Sequence, residues 1–242
     1  MQRTDLRFVA HVDILGMSAV VERDADEAWR LLSDLVDVRD RVLNYEIEFP
    51  QTGERMPMSE AIRAVTFSDT IVFFTRGDTD VELRALIVLA IEVLHKAMCR
   101  CVPVRVGIAL GRFFFNIARS MYAGPALIEA YRVGEAAQWL GIVLAMSVQD
   151  RARALGMKTG QSDLVVEWSV PIKGGEDSRF VINWPASISH DLKVTPPLSV
   201  AQFYQAFEST FGPLAQLSAE VQAKYVNTAT FLNARLALHA QA

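Results

Sequence analysis

Two stretches of the chain are almost continuously apolar and β-branched, and each contains one aspartate near a turn. The first covers residues 8–17 (FVAHVDILGM) and the second covers residues 64–74 (AVTFSDTIVFF). Continuous apolar runs of this length are typical of strands that are covered on both faces. The pattern therefore predicts two buried strands, the second of which turns at Asp69 and returns over residues 70–75 as a hairpin.

An aspartate in a buried strand is costly unless a cation offsets the burial of its charge. Asp13 and Asp69 on neighbouring strands would form an oxygen-rich site suited to Mg²⁺ or Mn²⁺. The pattern alone leaves a second interpretation open, in which each aspartate only caps a turn or a helix.

The rest of the chain alternates between helical and strand-like patterns. Helical spacing of apolar residues predicts a helix over about residues 26–45, and residues 46–62 show little regular pattern. A capping box, TDVE at residues 79–82, predicts the start of a long apolar helix that ends near residue 100. The other predicted elements are a strand over residues 104–110, a helix over 125–140, a strand over 141–145, a helix ending at 155 and strands over 164–170 and 179–184.

A proline-containing stretch from residue 185 to 197 is the predicted boundary between a main domain, residues 1–185, and a helical extension, residues 186–242. The extension carries an apolar helical stripe composed of Leu214, Leu217, Val221 and Tyr225. An apolar stripe must be covered, but the sequence leaves open whether the main domain or a second subunit covers it.

Composition excludes several classes of protein. The 242 residues are 51% apolar and 21% charged, as in a globular protein, and a net charge of −4 gives no electrostatic footprint for nucleic acid. No apolar segment is long enough to span a membrane, and residues 1–5 lack a signal-peptide pattern. Cys99 and Cys101 fit no disulfide or zinc framework, so free thiols in a reducing cytoplasm are expected.

Four motifs occur in a fixed order along the main domain. They are an Asp-Ile-x-Gly turn at residues 13–16, a Phe-Ser-Asp hairpin at 67–69, an Arg-x-Gly-Ile-x-x-Gly strand at 105–111 and a Gly-x-x-Leu-x-x-Ala-x-Arg helix at 124–132. Together they resemble the catalytic domain of class III nucleotide cyclases over roughly residues 7–185. The details are most similar to the small bacterial pyrimidine cyclases of Pycsar anti-phage defence.

The resemblance implies an α/β (α+β) fold with a ferredoxin-like, mainly antiparallel sheet flanked by helices. It also implies a homodimer in which the helix over residues 125–140 reaches the partner's site, so that active sites are shared. The implied site residues are Asp13, Ile14 (through its main-chain carbonyl) and Asp69 for two divalent cations (Mg²⁺ or Mn²⁺), Leu15, Gly16 and Met17 for the phosphates, and Arg132 for charge on the α-phosphate. Arg105 is interpreted as structural, and Lys173 as an exposed turn residue.

Departures from the purine cyclases concern the base and the ribose. Val65 and Met121 stand where those enzymes carry polar residues that read the base, and Phe67 is expected in the same pocket. A purine would leave buried donors and acceptors unpaired there, which favours UTP or CTP as substrate. Ile128 replaces an asparagine that orients the ribose in many members, which leaves ribose positioning open.

The resulting hypothesis is a pyrimidine nucleotide cyclase that makes a 3′,5′-cyclic mononucleotide and pyrophosphate. The product would be cUMP, on family frequency, or cCMP, and would act on a cyclic-nucleotide-responsive effector during phage infection. One alternative is a degenerate cyclase-like module that binds a nucleotide or a partner without turnover. Another is a purely structural dimerisation domain, for which two buried aspartates would be an unexplained cost.

Overall fold

The computed structural model describes residues 5–48, 53, 55–188 and 197–239. Its strands are β1 (Leu6–Ile14), β2 (Glu46–Glu48), β3 (Arg55–Pro57), β4 (Ile62–Phe67), β5 (Thr70–Thr75), β6 (Val104–Arg112), β7 (Phe114–Asn116), β8 (Met121–Ala123), β9 (Ile142–Leu144), β10 (Lys158–Thr159), β11 (Ser162–Asp163), β12 (Val165–Ile172) and β13 (Gly175–Ile182). Its α-helices are α1 (Met17–Arg23), α2 (Ala25–Leu43), α3 (Met58–Ala61), α4 (Asp80–Cys99), α5 (Pro125–Ala136), α6 (Met146–Ala154), α7 (Trp184–Ile188), α8 (Val200–Tyr204), α9 (Glu208–Phe211) and α10 (Ala219–His239). Short 3₁₀ helices cover Ile117–Arg119, Gln205–Phe207 and Leu214–Gln216.

Seven strands form the main sheet, in the order β12-β13-β9-β6-β1-β5-β4. Every neighbouring pair is antiparallel except β6 and β9, which are parallel. A β-α-β-β-α-β unit contributes four neighbouring strands to this sheet. Its elements, in chain order, are β1, the helices α1 and α2, the hairpin β4–β5, α4 and β6, and β1 lies between β5 and β6. The predicted ferredoxin-like, mainly antiparallel sheet flanked by helices is confirmed.

Alternation along β1 separates a core face from the face that carries the site. Phe8, Ala10 and Val12 belong to the main core with α2 and α4, whereas Val9 packs in a smaller cluster on the other face, against α5. Since successive side chains point to opposite faces of a strand, Asp13 lies on the same face as Val9. This face is therefore the one that α5 covers.

Two glycines allow α5 to lie directly on the sheet. A Cβ atom on Gly107 of β6 would stand 2.1 Å from the main-chain oxygen of Ala130 and 2.7 Å from the nitrogen of Gly134. Any larger residue at position 107 would displace the helix. The glycine of the Arg-x-Gly motif thus brings α5, and with it Tyr131 and Arg132, to the end of the sheet.

The extension packs on its own chain, which settles the alternative that the sequence left open. Phe231 of α10 contacts the rings of Trp139, Trp168 and Trp184 with centroid distances of 4.7, 5.0 and 6.3 Å. Tyr225 is buried, and the rest of the predicted stripe packs against the same cluster. The boundary predicted at residue 185 lies inside α7 and remains a prediction.

Several element bounds differ from the sequence predictions. The segment predicted to be irregular, residues 46–62, contains the hairpin β2–β3 and the short helix α3. Helix α5 ends at Ala136 rather than near residue 140, because Ala137 is extended and bridges to Ile172. The capping box that opens α4 is confirmed by reciprocal hydrogen bonds between Thr79 and Glu82. None of the described helices is both long and apolar enough to cross a membrane.

Candidate active site

The register of β1 against its two neighbours builds the first part of the site. Asp13 lies opposite Thr70 of β5 and opposite Arg105 of β6. The Nη2 and Nε atoms of Arg105 donate to one carboxylate oxygen of Asp13 at 2.8 and 3.0 Å. Arg105 also donates to the main-chain oxygen of Glu135 at 3.1 Å and pairs with the Glu135 carboxylate. Arg105 thus holds a candidate metal ligand in place, and its interpretation as a structural residue stays a prediction.

Asp69 joins this cluster through the backbone of the β4–β5 turn. Ser68 adopts a left-handed conformation with φ of 52°, and the amide of Ile14 donates to the main-chain oxygen of Asp69 at 3.3 Å. Burial raises the pKa of Asp13, the guanidinium of Arg105 lowers it, and the charge of Asp69 raises it further; the net direction is upward. The two aspartates that the sequence assigns to metal binding therefore lie within electrostatic range of each other.

The donor set at this end of the sheet fits a hard cation. Two carboxylates and the carbonyl of Ile14 are oxygen ligands of the kind that Mg²⁺ and Mn²⁺ prefer. Among the described residues no group of three or more His, Cys, Asp or Glu side chains could hold a metal ion. Since Mg²⁺ keeps several waters and binds phosphates, two carboxylates can suffice when a nucleotide supplies further oxygens. A cation would also relieve the unfavourable burial of charge at Asp13.

The turn after Asp13 places its backbone, not its side chains, at the surface. Leu15 and Met17 are buried, whereas Gly16 is exposed and has a φ of 78°. Gly16 is the N-cap of α1, which is only seven residues long and has no side-chain cap. Contact between this turn and a phosphate would therefore run through main-chain N–H groups alone.

Within one chain, Arg132 does not lie beside Asp13 and Asp69. It lies on α5, is exposed, and makes no hydrogen bond or ion pair with any residue that the structure describes. Its side chain lines a hollow of about 250 Å³ together with Met146, Asp177 and Arg179, whereas Asp13 and Asp69 do not line that hollow. The cation that the resemblance assigns to the α-phosphate is thus available at the surface.

A larger hollow of about 720 Å³ lies between α5 and the hairpin β4–β5. Val65 and Phe67 line it, as the base-pocket prediction requires, and so does Ile128. Met121 does not line it and is 54% exposed, whereas its neighbours Ser120 and Tyr122 do. Phe67 is 81% exposed, so the hollow is open on one side.

Sequence reasoning missed His11, which lies in the wall of the same hollow. Its ring meets that of Tyr131 at 5.2 Å, and burial, followed by the charge of Arg105, lowers the pKa of His11 to about 4. The imidazole is therefore neutral near pH 7. The period-two alternation of β1 could have revealed it, because His11 and Asp13 must point to the same face.

No protein-family model and no curated protein matches the chain. Among solved structures, the catalytic core of a rhodopsin-guanylyl cyclase with converted specificity, in complex with ATPαS, is similar with a TM-score of 0.49 and 12% identity over 73% of this chain and 94% of that one. A class III adenylyl cyclase-like ATP-binding protein from Pseudomonas aeruginosa gives a TM-score of 0.40 and 15% identity over 60% of this chain and 34% of that one. Because both TM-scores are below 0.5, the fold follows here from the sheet order and not from these similarities.

Proposed function

We propose that this chain is a nucleotide cyclase that works as a homodimer with two shared active sites. The observation that carries the proposal is the meeting of Asp13 and Asp69 beside Arg105, on a ferredoxin-like sheet, in the order that the cyclase motifs require. In the reaction the ribose 3′-oxygen forms a bond to the α-phosphorus of a nucleoside triphosphate. The bond from the α-phosphorus to the bridging oxygen breaks, pyrophosphate leaves, and the hydroxyl proton passes to solvent.

Asp13, Asp69 and the main-chain carbonyl of Ile14 would hold divalent cations in this reaction. When bound, such cations lower the pKa of the ribose hydroxyl and neutralise charge on the triphosphate. Arg105 balances the charge of Asp13, and Glu135 holds the guanidinium in place. The main-chain N–H groups of Gly16 and Met17 are the proposed phosphate contacts from the same chain. The predicted contact through Leu15 is not retained, because its amide donates to the main-chain oxygen of Pro103 at 2.8 Å.

Arg132 supplies transition-state charge to the partner's site in this proposal. A guanidinium keeps its charge at any accessible pH and can stabilise negative charge that develops on the α-phosphate. The surface around it supports a second copy as the partner, because large apolar side chains are exposed there. These side chains are Ile128 and Tyr131 on the same helix, Met146 in the smaller hollow and Phe67 in the larger one. Apolar surface of this kind marks an interaction site more often than a solvated face.

The substrate in this proposal is a pyrimidine nucleoside triphosphate, with UTP favoured over CTP by family frequency. Support comes from Val65, which lines the larger hollow and can neither donate nor accept a strong hydrogen bond. Tyr122 and Phe67 can narrow the same hollow against a purine. A role for the product as a messenger in anti-phage defence, acting on a cyclic-nucleotide effector in the cytoplasm, rests on the motif resemblance alone.

Incubation with each of the four ribonucleoside triphosphates and Mn²⁺, followed by mass analysis, tests this proposal. We expect a cyclic pyrimidine nucleotide and pyrophosphate, formed at least roughly tenfold faster than any product from ATP or GTP. Chelation of the metal with EDTA should abolish the reaction. Preferred cyclisation of ATP would contradict the assignment of the base pocket.

A second candidate function is nucleotide binding without turnover. Ile128 favours it, because an apolar side chain in the wall of the larger hollow cannot orient a ribose by hydrogen bonding. Tight binding of a nucleotide with no cyclic product in the same assay would support this candidate over the cyclase.

A further inference from the structure

His11 is the most deeply buried polar side chain in the lining of the larger hollow. It is 9% exposed, and among the described residues that line this hollow no other polar side chain is buried. The residues of the lining that carry hydroxyl groups are half-buried or exposed: Thr66, Thr70, Ser120, Tyr122 and Tyr131. His11 is therefore the polar group that a ligand in the hollow would shield most completely from water.

The sheet gives the imidazole of His11 no hydrogen-bond partner. His11 lies opposite Val72 of β5 and opposite Gly107 of β6. Side chains that lie opposite each other in a sheet share a face, so the lateral neighbours of the imidazole are an apolar side chain and a glycine. Within the part of the chain that the structure describes, no residue forms a hydrogen bond with the ring. The hydrogen-bonding capacity of His11 is thus left for a ligand.

The contact with Tyr131 orients the imidazole without satisfying it. The two rings meet edge to face, with centroids 5.2 Å apart and an angle of 72° between their planes. Edge-to-face packing of this kind favours one ring orientation. A polar group that is nearly buried and lacks a hydrogen-bond partner is costly, because its lost hydration is not replaced. A ligand that hydrogen-bonds to His11 would relieve this cost and would meet a ring that is already oriented.

The rest of the hollow suits the faces of a planar ring. Apolar and aromatic side chains make up most of its wall: Val65, Phe67, Val72, Tyr122, Leu127 and Ile128. Its volume of about 720 Å³ is within the range of small-molecule sites, which take their specificity from the few polar groups that they contain. A nucleobase has apolar faces and a polar edge, so it can stack against such a wall and direct its edge towards one hydrogen-bonding side chain.

We propose that His11 hydrogen-bonds the polar edge of the nucleobase and is a specificity-determining residue of the site. The inference rests on the proposed function, since it takes the larger hollow to hold the base. For uracil, the favoured base, this edge consists of the N3–H group and the two carbonyl oxygens beside it. Val65 and Ile128 can neither donate nor accept a strong hydrogen bond, so His11 supplies a contact that these apolar residues cannot make.

The test measures binding instead of turnover, because a nucleoside diphosphate cannot cyclise with release of pyrophosphate. Calorimetry in the presence of Mn²⁺ compares UDP with N3-methyl-UDP, in which a methyl group blocks the edge of the base, and with 2′-deoxy-UDP, which lacks a ribose hydroxyl. The variants are His11→Phe, which keeps a ring and removes both nitrogens, and His11→Gln, which restores a polar group. The matched control is His95→Phe, because His95 of α4 is similarly buried, at 8% exposure, and does not line the hollow.

In the wild type we expect N3-methyl-UDP to bind about tenfold more weakly than UDP, the effect of one lost hydrogen bond at a buried group. His11→Phe should weaken UDP binding by a similar factor and should no longer distinguish UDP from N3-methyl-UDP. His11→Gln should recover part of this discrimination, and His95→Phe should discriminate as the wild type does. A purely structural role for His11 would instead weaken all three ligands alike.

Undiminished discrimination against N3-methyl-UDP in His11→Phe would overturn the inference, even in a protein that cyclises UTP. A loss of discrimination against 2′-deoxy-UDP alone would also overturn it, because His11 would then contact the ribose, and so would a wild type that does not bind UDP. Discrimination that depends on His11 in a protein that forms no cyclic product would refute the proposed turnover and leave the base contact standing. If His11→Phe fails to fold, His11→Leu replaces it in the same measurements.

Discussion

The two halves of the candidate site differ in how far one chain completes them. In the half formed by Asp13, Arg105 and Glu135, every charged side chain has a partner, and the guanidinium is buried. In the half formed by α5 and the hairpin β4–β5, Arg132 has no partner among the described residues, and Phe67 and Ile128 are 81% and 51% exposed.

This difference indicates which part of the candidate site is preorganised by the fold of a single chain. Sheet register aligns Asp13 with Arg105, so the half that is proposed to hold the cations and phosphates is preorganised. The half that would hold the base and stabilise transition-state charge presents apolar surface to solvent, together with the guanidinium of Arg132, which has no partner among the described residues. Such a surface is what a second copy of the chain would cover in a shared-site homodimer.

The largest expected effect on turnover comes from a substitution in the half of the site that contains Asp13 and Arg105. Asp69→Asn should lower turnover by at least about 100-fold, because it keeps the shape of the turn and removes a charge that the cations need. The melting temperature should stay the same or rise slightly, since repulsion between Asp69 and Asp13 is removed. Turnover and thermal unfolding are measured together, with Asp150→Asn on the exposed surface of α6 as the control. Wild-type activity in Asp69→Asn would remove this residue from the site.

A substitution in the half formed by α5 and the hairpin β4–β5 should act by weakening the association of two chains. Ile128→Glu places a charge on the half-exposed apolar face and should leave the single chain folded. It should shift the protein towards the monomer and lower turnover by roughly tenfold or more. Sedimentation and activity are followed over a range of protein concentrations. Val81→Glu, at a similarly exposed position on α4, should change neither. A fully dimeric Ile128→Glu protein would show that this face is not the interface.

The smallest expected effect concerns how the extension is held to the main domain. Hydrogen bonds from Arg30, and then from Thr210 of the extension, lower the pKa of Glu27 to about 2 from an ordinary value of 4.5. A carboxylate with a lowered pKa contributes stability that is present above about pH 4.5 and is lost as the pH falls towards 2. Because the group is near solvent, this contribution is below about 1 kcal/mol.

Glu27→Gln should therefore lose less stability than the wild type between pH 5 and pH 3, by denaturant unfolding at each pH. Glu22→Gln, on the exposed face of α1, is the control and should follow the wild type. Identical pH dependence in Glu27→Gln and the wild type would show that the hydrogen bonds from Arg30 and Thr210 do not stabilise the Glu27 carboxylate in solution.

The strands of the sheet could be predicted from the sequence because each strand is encoded by a local run of apolar residues. The apolar runs identify β1, β4 and β5, and the motif order implies that Asp13 and Asp69 meet. The pairing of Asp13 with Arg105 was not predictable in this way, because it depends on the register between strands 92 positions apart. The pattern of apolar and polar residues along one strand does not specify the register of that strand against another.

The extension shows a second limit of sequence reasoning. A helical stripe reveals that one face of α10 is apolar, but not which surface covers it. The structure shows that Phe231 packs against three tryptophans of the main domain.

The most direct test of the shared-site account mixes two inactive variants, Asp13→Ala and Arg132→Ala. If Arg132 acts in the partner's site, each mixed dimer contains one intact site and one that lacks both groups. Random exchange makes half of the dimers mixed, so the mixture should recover about a quarter of the wild-type activity. Subunit exchange is verified in parallel with differently tagged chains. A mixture that stays inactive although exchange is complete would contradict the account, and so would full activity of Arg132→Ala alone.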